Sequence, residues 1–155
     1  MPRYNYDPST ATAAQEIFPK DDYEISLGTP KSFIRQNQKG EDSYGVRFQL
    51  TIEDGAYKGK HIPFTCYLHS EGAQSMTKRF QMAVMGCKNN QAGEAEFNEQ
   101  FGPLDWSIDP EAGTCGEGWS KMAGARVIAT LDVGKNTQTG DQQQNFKSWR
   151  PAVTA

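Results

Sequence analysis

The sequence has few of the residues and motifs by which enzymes and exported proteins are recognised. Its 155 residues include two histidines and three cysteines, and the spacing of Cys66, Cys87 and Cys115 suits neither a disulfide framework nor a zinc site. No CxxC or HExxH motif occurs, and no glycine-rich loop ends in Lys-Ser or Lys-Thr. The sequence therefore predicts no catalytic residue, no metal and no cofactor, and it favours a reducing compartment.

Long apolar segments are also missing. Mean hydropathy is −0.73, and no apolar run approaches the roughly 20 residues that cross a bilayer. The first fifteen residues lack the apolar centre of a secretory signal. We therefore expect a cytoplasmic protein without membrane contact, with one domain over residues 21–152 and a flexible N-terminal arm over residues 1–20.

Positive charge is scarce overall but unevenly placed. The formal net charge is −3, which argues against coating nucleic acid by bulk positive charge. Residues 33–92 nevertheless carry a net charge of +3, whereas residues 93–123 carry −6. The acidic residues are thus concentrated in one segment, and the middle of the chain before it is mildly basic.

Five segments alternate apolar and polar residues, which is the period of a half-buried strand. They cover residues 22–29, 43–52, 61–68, 124–133 and 142–150. Between the third and the fourth, apolar residues at helical spacing predict a helix over about 71–85, with Ser70 as its cap and Gly86 at its end. This element order predicts an all-β, five-stranded Greek-key barrel of the oligonucleotide-binding kind, the OB-fold.

Two connections in this prediction are long. Residues 30–42 form a polar first connection. Residues 88–123 elaborate the link between the helix and the fourth strand, with the acidic insertion 93–123 and a short helical turn near 94–101. The predicted fold therefore has one or two helices, and an irregular stretch of this length usually serves a function.

Two catalytic interpretations can be weighed from the residues. Cys66 with His61 or His69 would make a thiol–imidazole pair, but alternation places Cys66 inward and His61 outward, so we favour a small buried core cysteine. Acidic pairs could hold Mg²⁺ for a nuclease. Each pair lies where a strand meets a turn, so we favour solvated turns: Asp21-Asp22, Glu41-Asp42 and Glu53-Asp54.

Cations and aromatic rings occur together on the predicted second and third strands. Unpaired bases bind where cations follow phosphates and exposed rings stack, and these two strands with their adjoining loops form the usual binding surface of this barrel. The candidate nucleic-acid-binding residues lie on these strands, in the first connection, in the hairpin turn, in the last loop and on the fifth strand: Phe33, Arg35, Arg47, Tyr57, Lys58, Lys60, Tyr67, Lys135, Lys147 and Trp149.

Some of these residues have a structural alternative. Trp149 could pack beneath the acidic insertion, because large aromatic residues bury well. Lys58 and Lys60 could be the ordinary charges of an exposed hairpin. Arg47 and Tyr67 are favoured, since a cation and a ring in mid-strand on neighbouring strands form a binding surface. Lys147 and Trp149 are predicted to share one face of the fifth strand.

Three segments carry a likeness to a known family: residues 23–64, 122–133 and 145–152, about half of the chain. The pattern D-G-x-Y-K-G-x-x-I at 54–62 is the most specific part. On these residues the chain resembles a family of small bacteriophage single-stranded-DNA-binding proteins, encoded among phage replication and recombination functions. The resemblance implies an OB-fold, sequence-independent binding of single-stranded DNA, and a role in the cytoplasm of the infected cell.

The partners that follow from this hypothesis are single-stranded DNA and replication or recombination proteins. The residues leave open whether RNA binds as well and whether the chain forms homo-oligomers. A different class of function also fits, because Trp106 and Trp119 lie in the acidic segment and tryptophan is enriched at protein interfaces. That alternative is a β-rich protein–protein interaction or virion-accessory module, with residues 93–123 as its contact surface.

Overall fold

A computed structural model of the chain describes residue 9 and residues 17–36, 38–135, 137 and 139–152. The protein is mixed α/β, with a six-stranded antiparallel sheet, a two-stranded hairpin and three helices. None of the helices within the described ranges is long and apolar enough to cross a membrane. The elements are β1 Asp21–Leu27, β2 Lys31–Gln36, β3 Asp42–Ile52, β4 His61–Tyr67, α1 Glu71–Val84, α2 Gln91–Gln100, β5 Ile108–Asp109, β6 Thr114–Cys115, α3 Glu117–Met122, β7 Arg126–Lys135 and β8 Gln142–Pro151.

The five alternating segments and the long helix are confirmed. β1, β3, β4, β7 and β8 coincide with the predicted strands to within a few residues, and their inward residues, such as Ile25 and Phe48, are fully buried. α1 begins after Ser70, whose hydroxyl accepts a hydrogen bond from the Ala73 amide over 3.1 Å. Beyond its end, Gly86 has a φ of 84°, in the left-handed region that favours glycine.

Residues 30–42 are not the single long connection that was predicted. β2 pairs with the first half of β3, with Lys31 opposite Arg47, while β1 pairs with the second half, with Leu27 opposite Leu50. Four steps along β1 and β2 therefore match three along β3, which is a bulge. β1 and β2 form one bent strand, and the Gly28 amide at the bend donates to the Gln49 carbonyl over 2.9 Å.

The sheet is open at one seam. Its order is β2-β3-β1-β7-β8, with β4 on the other edge of β3. Within the described residues no backbone pairing joins β4 to β8, so a closed barrel is not observed and six strands replace the five expected. Rings fill the gap between these two strands, with centroids 4.6 to 5.1 Å apart: Phe64, Phe80, Phe146 and Trp149.

The insertion before β7 is folded and belongs to the core. It contains α2, the β5–β6 hairpin and α3, so the described part of the chain has three helices where one or two were expected. Trp119 of α3 is 1% exposed, and its ring centroid lies 6.3 Å from that of Phe48. Removing the insertion would expose this face of the sheet, because Trp119 and Met122 cover it.

Most of the predicted N-terminal arm, residues 1–20, lies outside the described residues. Phe18, near its end, is buried in the core. The Phe18 amide donates to Gln144 Oε1 over 2.7 Å, and Gln144 Nε2 donates back to the Phe18 carbonyl over 3.2 Å. The folded part of the chain therefore begins before residue 21, because Phe18 is fixed to β8.

Candidate nucleic-acid interface

The outward faces of β2, β3 and β4 bring cations and rings together. Lys31 lies opposite Arg47 in the register of β2 and β3. Gly45 of β3 lies between Phe33 of β2 and Tyr67 of β4. Alternation along each strand puts these side chains on one surface. We call this surface the platform and define it by six residues: Lys31, Phe33, Arg35, Arg47, Gln49 and Tyr67.

Gly45 allows the two rings of the platform to meet. Strands two places apart in a sheet are separated by about 9 to 10 Å, yet the ring centroids of Phe33 and Tyr67 are 5.9 Å apart, edge to face. The rings approach each other above the one position of β3 that has no side chain. A Cβ at Gly45 would overlap the Cys66 carbonyl oxygen, so the close packing of β3 on β4 also requires glycine here.

Two cation contacts order the platform. The guanidinium carbon of Arg47 lies 4.9 Å from the centroid of the Phe33 ring, within the range of cation–π attraction. Arg35 Nη2 donates to the Tyr67 hydroxyl over 3.4 Å. Both arginines remain exposed. The contacts therefore hold alternating charge and ring surface in place while leaving the guanidinium groups accessible to a ligand.

A groove of about 530 Å³ covers part of the platform, and four platform residues line it: Lys31, Phe33, Arg47 and Gln49. His61 and Pro63 of β4 and Thr29, between β1 and β2, also line it. At the β4 side, His61 Nδ1 and Thr51 Oγ1 are 3.1 Å apart. The volume is in the range of sites that hold small organic molecules, so the groove can hold a nucleotide.

Among the described residues, the cations of the platform have no carboxylate partner. Lys31, Arg35 and Arg47 are exposed, and among the described residues none of the three forms an ion pair. Unpaired cations on one surface create a local positive potential in spite of the negative net charge of the chain. Such a potential attracts phosphate groups without regard to base sequence.

The outward surface of β1, β7 and β8 differs, because its cations contact carboxylates. Arg126 lies 3.4 Å from Glu24, Arg150 lies 2.9 Å from Asp22, and Lys147 lies 3.1 Å from Asp132. We call these six residues the paired face. A hydrogen bond from Thr130, followed by one from Arg150, holds the pKa of Asp22 below its usual value. A hydrogen bond from Lys147 is the main cause of the lowered pKa of Asp132.

Trp149 and Lys147 do not join the platform. Thr130 lies opposite Ser148 but Leu131 lies opposite Phe146, so a bulge leaves Lys147 without a strand partner. The bulge turns Trp149 inward, where its ring stacks on Phe146 at 5.1 Å and lies 4.6 Å from Phe80 of α1. The prediction that Lys147 and Trp149 share one face is corrected, and Trp149 packs against α1.

The remaining candidates lie around the platform. The Tyr57 ring packs 5.1 Å from that of Phe18 and does not share the platform surface. Lys58 and Lys60 are exposed in the turn before β4. Lys135 is exposed at the end of β7, opposite Gln142, and Gln142 lines a second groove beside β4. The roles predicted for the three lysines remain predictions.

Lys31 and Gly45 were missed by sequence reasoning. A signal for Lys31 was present, because the segment KSFIRQ alternates Lys31, Phe33 and Arg35 with smaller or neutral residues. Its polar composition concealed the strand. Phe33 and Arg35 were placed in a connection for the same reason, although both belong to β2.

Within the described ranges no three His, Cys, Asp or Glu residues are placed to hold a metal ion. Cys66 of β4 is buried, and burial raises the pKa of its thiol well above the usual value. No protein-family model matches this chain, and no curated protein matches it.

Proposed function

We propose that the protein is a non-enzymatic single-stranded-DNA-binding protein that acts in phage DNA replication or recombination. The observation that carries this proposal is the alternation of unpaired cations with half-exposed rings on one face of β2, β3 and β4. Lys31, Arg35 and Arg47 contact phosphates, and Phe33 and Tyr67 stack on bases.

The chemistry favours a single strand over a duplex. Every base has an aromatic face, and stacking on a protein ring contributes about 1–3 kcal/mol per base. Those faces are available only when the bases are unpaired. Because stacking and phosphate contacts do not depend on base identity, binding is largely independent of sequence.

The strand pairing supports an OB-type fold as part of the proposal. β1 pairs with β3 and β7, β3 pairs with β4, and β7 pairs with β8. This is compatible with the Greek-key order of an OB-fold, which is a partly open barrel. In that fold the second and third strands and two neighbouring loops bind oligonucleotides. Here those strands correspond to β3 and β4, on which much of the platform lies.

The cellular setting comes from the family resemblance alone. It suggests work in the cytoplasm of an infected cell beside replication or recombination proteins. The chain's negative net charge is consistent with a protein that holds a strand at one surface, because only the platform side would face the phosphates.

The first test is fluorescence anisotropy of a labelled thymine 30-mer and of a matched duplex, at low and moderate salt. The label belongs on the DNA, since Trp119 is buried and Trp106 and Trp149 pack against the core, away from the platform. We expect the single strand to bind more tightly than the duplex. The double variant Arg47→Ala with Tyr67→Ala should weaken binding by about 30-fold or more, since it removes a phosphate contact and a stacking ring.

Arg79→Ala is the matched control. Arg79 is an exposed arginine of α1 and has no ion pair among the described residues, but no platform ring accompanies it. Its removal should change affinity by no more than about twofold. Equal binding of single strand and duplex, or equal losses in the two variants, would contradict the proposal.

A further inference from the structure

A further groove, distinct from the two beside the strands, lies against α1 and α2. Its volume is about 280 Å³. Leu68, Phe97, Trp106 and Trp119 give it apolar walls, and Gln81 and Asn98 add amide groups. The Trp106 indole donates to the Phe101 carbonyl over 2.8 Å, which fixes one wall. The groove therefore combines apolar walls with polar side chains, among them Gln74, Thr77 and Lys78.

Gln81 points to a ligand in this groove. Its side chain is only 9% exposed, and among the described residues its amide has no hydrogen-bond partner. No buried side-chain atom of the described residues is both unpaired and fully shielded, so the amide reaches solvent, and Gln81 lines the groove. A buried amide with one open side is satisfied by a ligand that both donates and accepts a hydrogen bond.

The charge around the groove selects the class of ligand. α2 exposes Glu94, Glu96 and Glu99 beside the groove, and among the described residues Glu96 and Glu99 form no ion pair. Lys78 at the groove is already paired with Glu94 at 3.1 Å. This surface repels the phosphates of nucleic acid and attracts cations. The groove is therefore not an extension of the platform.

We propose that this groove binds a basic peptide segment of a partner protein. One apolar side chain fills the slot lined by Leu68, Phe97 and Trp106, the peptide backbone hydrogen-bonds with the Gln81 amide, and flanking Lys or Arg residues lie near α2. A backbone amide supplies both a donor and an acceptor, which matches Gln81. The proposal is independent of DNA binding, since none of the six platform residues lines this groove.

The test uses the full chain and a defined probe, an acetylated and amidated pentapeptide with a central leucine and lysine at the other positions. The side-chain amide signals of Gln81 and the indole signal of Trp106 are followed by NMR during titration. We expect saturable shifts of both signals. The same peptide with a central glycine should bind at least about tenfold more weakly, because it cannot fill the slot.

Two exposed positions separate location from charge. Asn98→Arg places bulk and positive charge at the groove and should weaken binding of the leucine peptide by about tenfold or more. Glu111→Arg makes a larger charge change at an exposed residue of the β5–β6 turn that does not line the groove, and should weaken binding by no more than about threefold. Shifts without saturation, equal binding of the glycine peptide, or a greater loss in Glu111→Arg would overturn the proposal.

Discussion

The outward surface of the sheet has two halves that use cations in opposite ways. On the platform, Lys31, Arg35 and Arg47 have no carboxylate partner among the described residues. On the paired face, Arg126, Lys147 and Arg150 each lie within 3.4 Å of one. The two halves are parts of one sheet, so the difference lies in the side chains and not in the fold.

This difference shows how a chain of net negative charge can present a site for an anion. Exposed ion pairs contribute little to stability. On the paired face the opposite charges also lie side by side, so little charge is left for an external partner. The platform cations form no ion pair among the described residues, and aromatic rings lie between them. A charge left unpaired beside an aromatic ring is available to an external partner.

The largest expected effect comes from Gly45, where the rings of the platform meet. Gly45→Ala should lower the free energy of unfolding by about 1–3 kcal/mol, because the new methyl group overlaps the Cys66 carbonyl. It should also separate Phe33 from Tyr67 and weaken DNA binding. Urea denaturation and anisotropy measure the two effects. Gly72→Ala is the control, since a Cβ there meets nothing within 4 Å and alanine favours the helix.

The salt dependence of DNA affinity should also distinguish the platform from the paired face. Each cation that contacts a phosphate adds about 0.7 to the slope of log affinity against log salt for a single strand. Arg47→Ala should therefore reduce this slope by about that amount, whereas Arg126→Ala should leave it unchanged. A series of anisotropy titrations at increasing salt gives both slopes, and equal slopes in the two variants would remove the distinction between the halves.

Removing the carboxylates that pair with the cations of the paired face should have a smaller effect on DNA affinity. Asp22→Asn with Asp132→Asn frees Arg150 and Lys147 from their carboxylates. Affinity for the thymine 30-mer should rise by less than about threefold, because no exposed ring accompanies these cations. A rise of tenfold or more would mean that unpaired charge alone accounts for binding and that the rings are dispensable.

The smallest expected effect is on stability in acid. The folded-state pKa values of Asp22 and Asp132 lie below the usual value of 3.8, chiefly because Thr130 donates a hydrogen bond to Asp22 and Lys147 donates one to Asp132. These contacts of the charged carboxylates stabilise the fold above that pH and lose this contribution as pH falls through the lowered values. Urea unfolding of the wild type and of the double asparagine variant should differ at pH 6 and converge near pH 2. A constant difference across this range would contradict the assignment.

The buried strands could be predicted because burial imposes a period on the sequence. Phe48 and Leu50 of β3 lie on alternate, inward positions, and Arg47 is then outward by default. β2 escaped prediction because Ile34, on its inward side, is exposed at the sheet edge, so little apolar alternation is present. Whether a strand lies at the edge of a sheet depends on the order of the strands, which the residues of that strand do not reveal.

The paired and unpaired cations could not be told apart from the sequence. Asp22 and Arg150 are separated by 128 positions and meet only because β1, β7 and β8 are neighbours. The bulge at Lys147 likewise reversed the side on which Trp149 lies. Arg47 and Tyr67 were predicted on the surface they occupy, since β3 and β4 are joined by a short turn that fixes their register.

The most direct measurement compares two double variants that each remove two positive charges from the same sheet. Lys31→Ala with Arg47→Ala removes them from the platform, and Lys147→Ala with Arg150→Ala removes them from the paired face. Affinity for the thymine 30-mer should fall by about tenfold or more in the first variant and by no more than about threefold in the second. Equal losses in the two variants would contradict the account, because net charge and not the platform would then govern binding.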